Sequence, residues 1–294
     1  MKRALERNRT MMAGRRIFSL MLGLAVIIAA SPSARAEALS VALEGPARPG
    51  GLMTGRVPAG STARFDAGAV AVGPSGALLL GIAPDAGQSA TLVVVAPDGT
   101  ETRTPLRIAP RDYDVQRIDG LPPRKVSPSA ADMARIREEG ALIKAAKARF
   151  SPAEFFDKAF IWPAEGPVTG VYGSRRILNG QPRRPHWGID IAAPAGTPVR
   201  APAAGTVAVA HKDMFFTGGT VILDHGHGLT TVYSHLQDVL VVEGAIAARG
   251  TLIGTVGATG RATGAHLDWR MNLFDTPLDP ALVTPGRPDD PPPS

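Results

Sequence analysis

The chain has 294 residues, enough for one large domain or two modest ones, and 44% of them are hydrophobic, so it can bury a core. Its formal charge of +6 belongs to one end: the first 36 residues hold seven of the 32 Lys and Arg and one of the 26 Asp and Glu, leaving 25 of each sign beyond them. That balance gives no case for nucleic-acid binding, which needs a basic surface on the folded domain, and the absence of cysteine excludes disulfides and thiolate chemistry, so any metal must be held by His, Asp or Glu.

Residues 1–36 read as a signal peptide. Arg15 and Arg16 flank an apolar run from Ile17 to Ala30, and Ala34-Arg35-Ala36 is a small-x-small cleavage site. The run is shorter than the ~20 residues of a membrane span. The expectation is an exported, periplasmic protein that touches the membrane only if this segment stays uncleaved; the export route, Sec or twin-arginine, is open.

Residues 37–110 alternate short runs around Leu39, Val41 and Leu43, then Ala77 to Leu80 and Thr91 to Val95, with Asp98-Gly99 as a hairpin signal. They predict a small N-terminal β-sandwich-like domain without catalytic residues. Residues 111–150 read as a linker and helix. Ser127-Pro128 or Ser129 caps the helix, Met133, Ile136, Ile143 and Phe150 form its apolar stripe, and Arg135, Arg137, Glu138, Glu139, Lys144 and Lys147 form a solvated face. Residues 151–285 return to strands and glycine turns, in "GTVAVA", "GTVILDHGHG", "LTTVYSHL" and "TLIGTVGATG"; residues 286–294, "GRPDDPPPS", read as a disordered tail. The class is mainly β.

Three stretches carry polar residues on apolar strands: "PHWGID" (185–190), "YSHL" (233–236) and "AHLDW" (265–269). Alternate strand residues share a face, so His266 and Asp268 point the same way, about 6.6 Å apart along the strand, while Leu267 and Trp269 face a core. By the same parity Tyr233 and His235 share a face. His186 and Asp190 share parity too, but a straight strand would part them by about 13 Å; Gly188 allows a bend. His225 and His227 in "DHGHG" are expected at a hairpin turn facing solvent, and His211 has no assigned role.

As a set, these stretches resemble the lysostaphin-type (LytM-like) zinc metallopeptidases of bacterial peptidoglycan, whose pattern is H-x-G-x-D, then His-Leu late in a central strand, then H-L-H. "HWGID", "SHL" and "HLD" match it in order, and the resemblance covers about residues 165–283. It implies a C-terminal antiparallel β-sheet metallopeptidase domain of the duplicated hybrid motif type. It also implies one Zn2+ per chain, with His186 and Asp190 as ligands and His235 and His266 as catalytic histidines. Asp268 stands at the third ligand position, where the family usually has His. Zinc accepts carboxylate oxygen at about the same distance as imidazole nitrogen. His with two carboxylates makes the metal site formally neutral, against +1 for the usual set, so bound water should be acidified less and Mn2+ accepted more readily.

The resemblance implies hydrolysis of the peptide cross-links of peptidoglycan, with wall peptides as substrate. A second reading is a catalytically degenerate regulator of the same fold that binds and activates another wall hydrolase. A third, a lipoyl- or biotinyl-type carrier module, is suggested by "APAAGTV" but finds no lysine in "DHGHG".

Overall fold

The period-2 runs become strands, and glycine turns set their pairing. The computed structural model describes residues 41–120, 124 and 127–286. The expected signal segment and the tail from 287 onward lie outside the described residues.

The first strands are β1 (Leu43–Glu44), β2 (Leu52–Arg56), β3 (Thr62–Phe65), β4 (Gly68–Val70), β5 (Ala77–Gly81), β6 (Ser89–Val95) and β7 (Glu101–Arg107). They form two antiparallel sheets, ordered β1-β2-β5 and β4-β3-β6-β7. Leu78 and Leu80 of one sheet pack against Leu92 and Val94 of the other, giving the sandwich expected from the alternation. The β6–β7 hairpin turns at Asp98-Gly99: Gly99 takes φ +86°, and Asp98 Oδ1 accepts from Thr100 N at 2.9 Å.

Next come β8 (Val115–Ile118) and α1 (Ala130–Ala148), then β9 (Val168–Gly170), β10 (Arg175–Leu178), β11 (Gln181–Pro182), β12 (Ile189–Ala192), β13 (Pro198–Arg200), β14 (Gly205–Met214), β15 (Gly218–Gly226), β16 (Leu229–Val239), β17 (Ile246–Ala247), β18 (Leu252–Val256), β19 (His266–Leu273) and β20 (Thr276–Leu278). The large antiparallel sheet runs β17-β14-β15-β16-β19-β12-β9, with β18 on β16 and β13, and β20 on β19. One face buries Ile191, Leu223, Tyr233, Leu267 and Trp269. The stretch expected as a plain linker supplies β8, which pairs in parallel with β10 and builds a separate small sheet β11-β10-β8. Leu52 and Leu79 of the sandwich pack on Leu229, Met271 and Leu273, so the sandwich meets the late part of β19. Among the described residues no helix is long and apolar enough to cross a membrane.

Helix α1 starts where its cap predicts. Ser129 accepts from Asp132 N, and Asp132 returns a bond to Ser129 N, a closed capping box with Pro128 just before it. Its faces differ from expectation. Met133 and Phe150 are exposed, and Ile143 and Ala146 make the contact with Val209, Met214, Ile222 and Val232. Two charges placed on a solvated face turn inward. Glu139 accepts from Phe215 N at 2.7 Å, which gives a partner to a backbone donor just past β14. Lys147 donates to Asn272 Oδ1 at 2.9 Å, and burial pushes its pKa down to about 8.

His225 and His227 also differ: both are buried. The hairpin between β15 and β16 forms as expected, with His227 and Gly228 at φ +52° and +82°, but residues 150–156 lie across its tip. Phe155 N donates to His225 O, His227 N donates to Ser151 O, and the rings of Phe150 and Phe156 stand 5.2 and 5.1 Å from that of His227. His225 bridges Ala204 O (2.6 Å) and Thr231 Oγ1 (2.7 Å), and burial holds its pKa near 4. Both act in the fold.

Candidate metal and catalytic site

Register builds the site. Asp190 on β12 lies directly opposite Asp268 on β19, and Ser234 on β16 lies opposite Asp268 from the other side. Directly paired residues point to one face, so Ser234, Asp268 and Asp190 form a row across three strands. The next strand continues the row with Gly170, where a Cβ would stand 2.2 Å from Asp190 Oδ2. Glycine there leaves room for the carboxylate. Leu267 and Trp269 face the core, as parity predicts for β19.

His186 precedes β12 and is pinned by two backbone bonds, His186 N to Ser174 O and Gly173 N to His186 O. The chain bends at Gly188. A Cβ at Gly188 would meet Arg270 Cγ at 2.6 Å and Trp269 O at 2.8 Å, so close approach to β19 also requires glycine. The result is that His186, Asp190 and Asp268, all buried, each bring a ligand-capable atom within 4.8 Å of the others. His186 Nδ1 and Nε2 and Asp190 Oδ1 are buried without a hydrogen bond; the 3.1 Å between Nε2 and Oδ1 lacks hydrogen-bond alignment. Buried polar atoms are almost always partnered. Orphans converging from an N,O,O set fit a divalent cation.

His235 breaks the parity expected of it. Tyr233 points into the core beside Trp269, whereas His235 faces His266, with ring centroids 4.7 Å apart. The cause is an irregularity in β16: His235 has φ +66°, and its N–H leaves the ladder for Thr217 O at 2.6 Å. The Nδ1 atoms of His235 and His266 lie 2.8 and 2.9 Å from Thr259 O and Gly264 O. A carbonyl can only accept, so both rings carry their proton on Nδ1 and leave Nε2 open. Burial pushes the pKa of His235 down to about 4, so it is neutral at pH 7.

Three arginines complete the site. Arg176 Nη2 donates to Asp190 Oδ2, and Arg270 grips Asp268 with two bonds, Nε to Oδ1 at 2.9 Å and Nη2 to Oδ2 at 2.6 Å. Burial opposes the charge on Asp268, but Arg270, with His186 and His235, outweighs it and holds the carboxyl well below the usual range. For Asp190, burial is likewise outweighed by His186 and Arg176. A formal count of His and two carboxylates therefore understates the positive charge, because each carboxylate brings its own guanidinium. Arg270 was readable as sharing the face of Asp268 two residues on; Arg176 and Arg261 carry no comparable sequence signal.

Asp190, His235 and His266 meet at one groove of about 290 Å3, whose walls also include Arg176, Arg261 and Gln116 and Ile118 of β8; His186 lies behind Asp190, its side chain fully buried. None of the groove lining comes from residues 41–110.

A model of peptidase family M23 matches residues 184–280. A solved M23 peptidase of Pseudomonas aeruginosa is 32% identical, covers 81% of this chain with 94% of its own, and superposes with a TM-score of 0.63. The DD-carboxypeptidase/endopeptidase Mpg of Neisseria meningitidis is 41% identical over 100 residues, 34% of this chain and 23% of that protein. The peptidoglycan DD-endopeptidase ShyB of Vibrio cholerae is 38% identical over 123 residues, 38% of this chain and 28% of that protein. The chain thus spans about a quarter of the length of these curated relatives.

Proposed function

This chain belongs to peptidase family M23, and from that premise we propose that it is a zinc-dependent endopeptidase that hydrolyses the peptide cross-links of bacterial peptidoglycan, exported to the periplasm. The observation that carries the reading is the convergence of His186, Asp190 and Asp268, with His186 Nδ1 and Nε2 and Asp190 Oδ1 buried and unpartnered, beside two histidines with open Nε2 atoms. Those three residues would hold one ion, zinc or, given two carboxylates, manganese. What the ion supplies when bound is Lewis acidity toward a carbonyl oxygen and a water. The chain's own residues do the rest. His235, neutral and oriented by Thr259 O, takes a proton at Nε2 as general base. His266 presents a second Nε2 to the same groove, and Arg176 and Arg270 fix the two carboxylates. The relatives named for DD-endopeptidase activity support wall peptides as the substrate class.

The test is digestion of purified cross-linked peptidoglycan with the zinc-loaded chain, read as conversion of peptide dimers to monomers. Cleavage is expected, and His235→Ala should abolish it while keeping the metal; full activity in that variant would overturn the role given to His235. One observation favours the regulator instead: both oxygens of Asp268 are already engaged by Arg270. On that reading the zinc-supplemented chain releases no monomers and acts only through a partner hydrolase.

A further inference from the structure

Charge at the groove does not balance. The groove and the small cavity that shares Arg176, His235 and Arg261 with it hold three arginines, Arg176, Arg261 and Arg270, against two carboxylates, Asp190 and Asp268. Arg176 is committed to Asp190 and Arg270 to Asp268. Arg261 has neither a side-chain hydrogen bond nor an ion pair among the described residues; its guanidinium lies 4.4 Å over the Phe216 ring. Burial, and then the neighbouring Arg270, Arg176 and Arg183, push its pKa down to about 10, so it remains a cation at neutral pH. A half-buried cation facing three other arginines, with only Asp268, already held by Arg270, in opposition, is costly to leave without a counter-charge of its own.

The position of this cation is fixed by the loop that orients the reacting histidine. Arg261 N donates to Phe216 O at 2.8 Å. Two residues earlier, Thr259 O meets His235 Nδ1, while Thr259 Oγ1 donates to Leu236 O and accepts from Gly219 N, each at 2.9 Å. Gly260 between them, at φ +72°, leaves no space for a Cβ, which would lie 2.4 Å from Gly218 N. Arg261 therefore stands at a set place beside His235, within a groove whose other polar walls include neutral Gln116, Thr169 and Thr263.

We propose that Arg261 is a specificity-determining residue that receives a free carboxylate of the substrate peptide next to the scissile bond, so that the groove selects anionic peptides over their amidated forms. The proposal rests on the peptidase reading above. Guanidinium–carboxylate pairing is charge-assisted and bidentate where geometry allows, and its loss on amidation should lower kcat/KM by roughly 10- to 100-fold.

The test uses cross-linked D-alanyl peptide dimers in two forms: with free carboxylates, and after carbodiimide conversion of those carboxylates to carboxamides. The wild-type chain should cleave the free form preferentially. Arg261→Gln should collapse the preference toward one, mainly through KM, and Arg261→Lys should keep part of it. Equal cleavage of both forms by the wild type, or an undiminished preference in Arg261→Gln, overturns the proposal. If the wild type cleaves neither form, the peptidase reading falls and binding decides Arg261 separately. Fluorescence titration should then show tighter binding of the free form by the wild type alone, and equal binding of the two forms overturns the proposal.

Discussion

Arg270→Ala isolates what holds Asp268. The Asp268 side chain is 2% exposed, and its two oxygens accept bonds of 2.9 and 2.6 Å from Arg270. Removing one partner of a buried ion pair costs roughly 3 to 5 kcal/mol because the other charge is stranded. Arg270 keeps 34% of its side chain in solvent, so water enters the vacated space and the figure belongs at the low end, about 3 kcal/mol. For a folded unit of this size each kcal/mol moves Tm by roughly 2–4 °C, so the metal-free variant should melt roughly 6–12 °C below the metal-free wild type. A divalent cation substitutes for the lost guanidinium charge, so zinc should raise the Tm of Arg270→Ala by more than it raises that of the wild type. Calorimetry of both chains with and without zinc reads both effects. An unchanged metal-free Tm would mean that the Asp268–Arg270 contact carries no net stability.

Stability should also depend on pH through His225. Its folded pKa near 4 lies below the ordinary 6.5, so between those values the unfolded chain binds more protons. Stability is then complete above pH 6.5 and falls as pH drops toward 4; at pH 5 the loss is about 2 kcal/mol from this group, and the pH 7-to-5 change in urea midpoint should shrink in His225→Gln. Gly226→Ala places a Cβ 1.6 Å from Ala153 O at φ +99° and should cost roughly 3 kcal/mol. Gly99→Ala, at φ +86° with nothing within 4 Å, should cost only about 1 kcal/mol; equal losses in thermal melts would contradict the clash argument. Asp268→His leaves Arg270 without its carboxylate, so Asp268→His combined with Arg270→Gln should bind zinc more tightly than Asp268→His alone in chelator competition.

Much of this arrangement is legible in the strand period. Parity reads β19 correctly, putting His266 and Asp268 on one face and Leu267 and Trp269 on the other. It fails on β16 because His235 takes a left-handed conformation and adds a residue to the strand, a tertiary choice set by Thr217 O that no local pattern displays. The pairing of Asp190 with Asp268 depends on register between strands about 80 residues apart in the chain, which spacing alone does not reveal. The burial of His227 is set by Phe150 and Phe156 of a segment that arrives from outside the sheet, and that of His225 by Ala204, Thr231 and Phe160. Arg270 follows Asp268 at the spacing that shares a strand face, whereas no local spacing ties Arg176 to Asp190, fourteen residues on.

Metal content of the purified chain after dialysis against trace zinc, set beside that of its Asp268→Ala variant, decides whether His186, Asp190 and Asp268 hold an ion. About one tightly held ion per chain is expected, lost in the variant with circular dichroism unchanged. A wild-type chain that retains neither zinc nor manganese, or a variant that holds the ion as tightly as the wild type, would contradict that expectation.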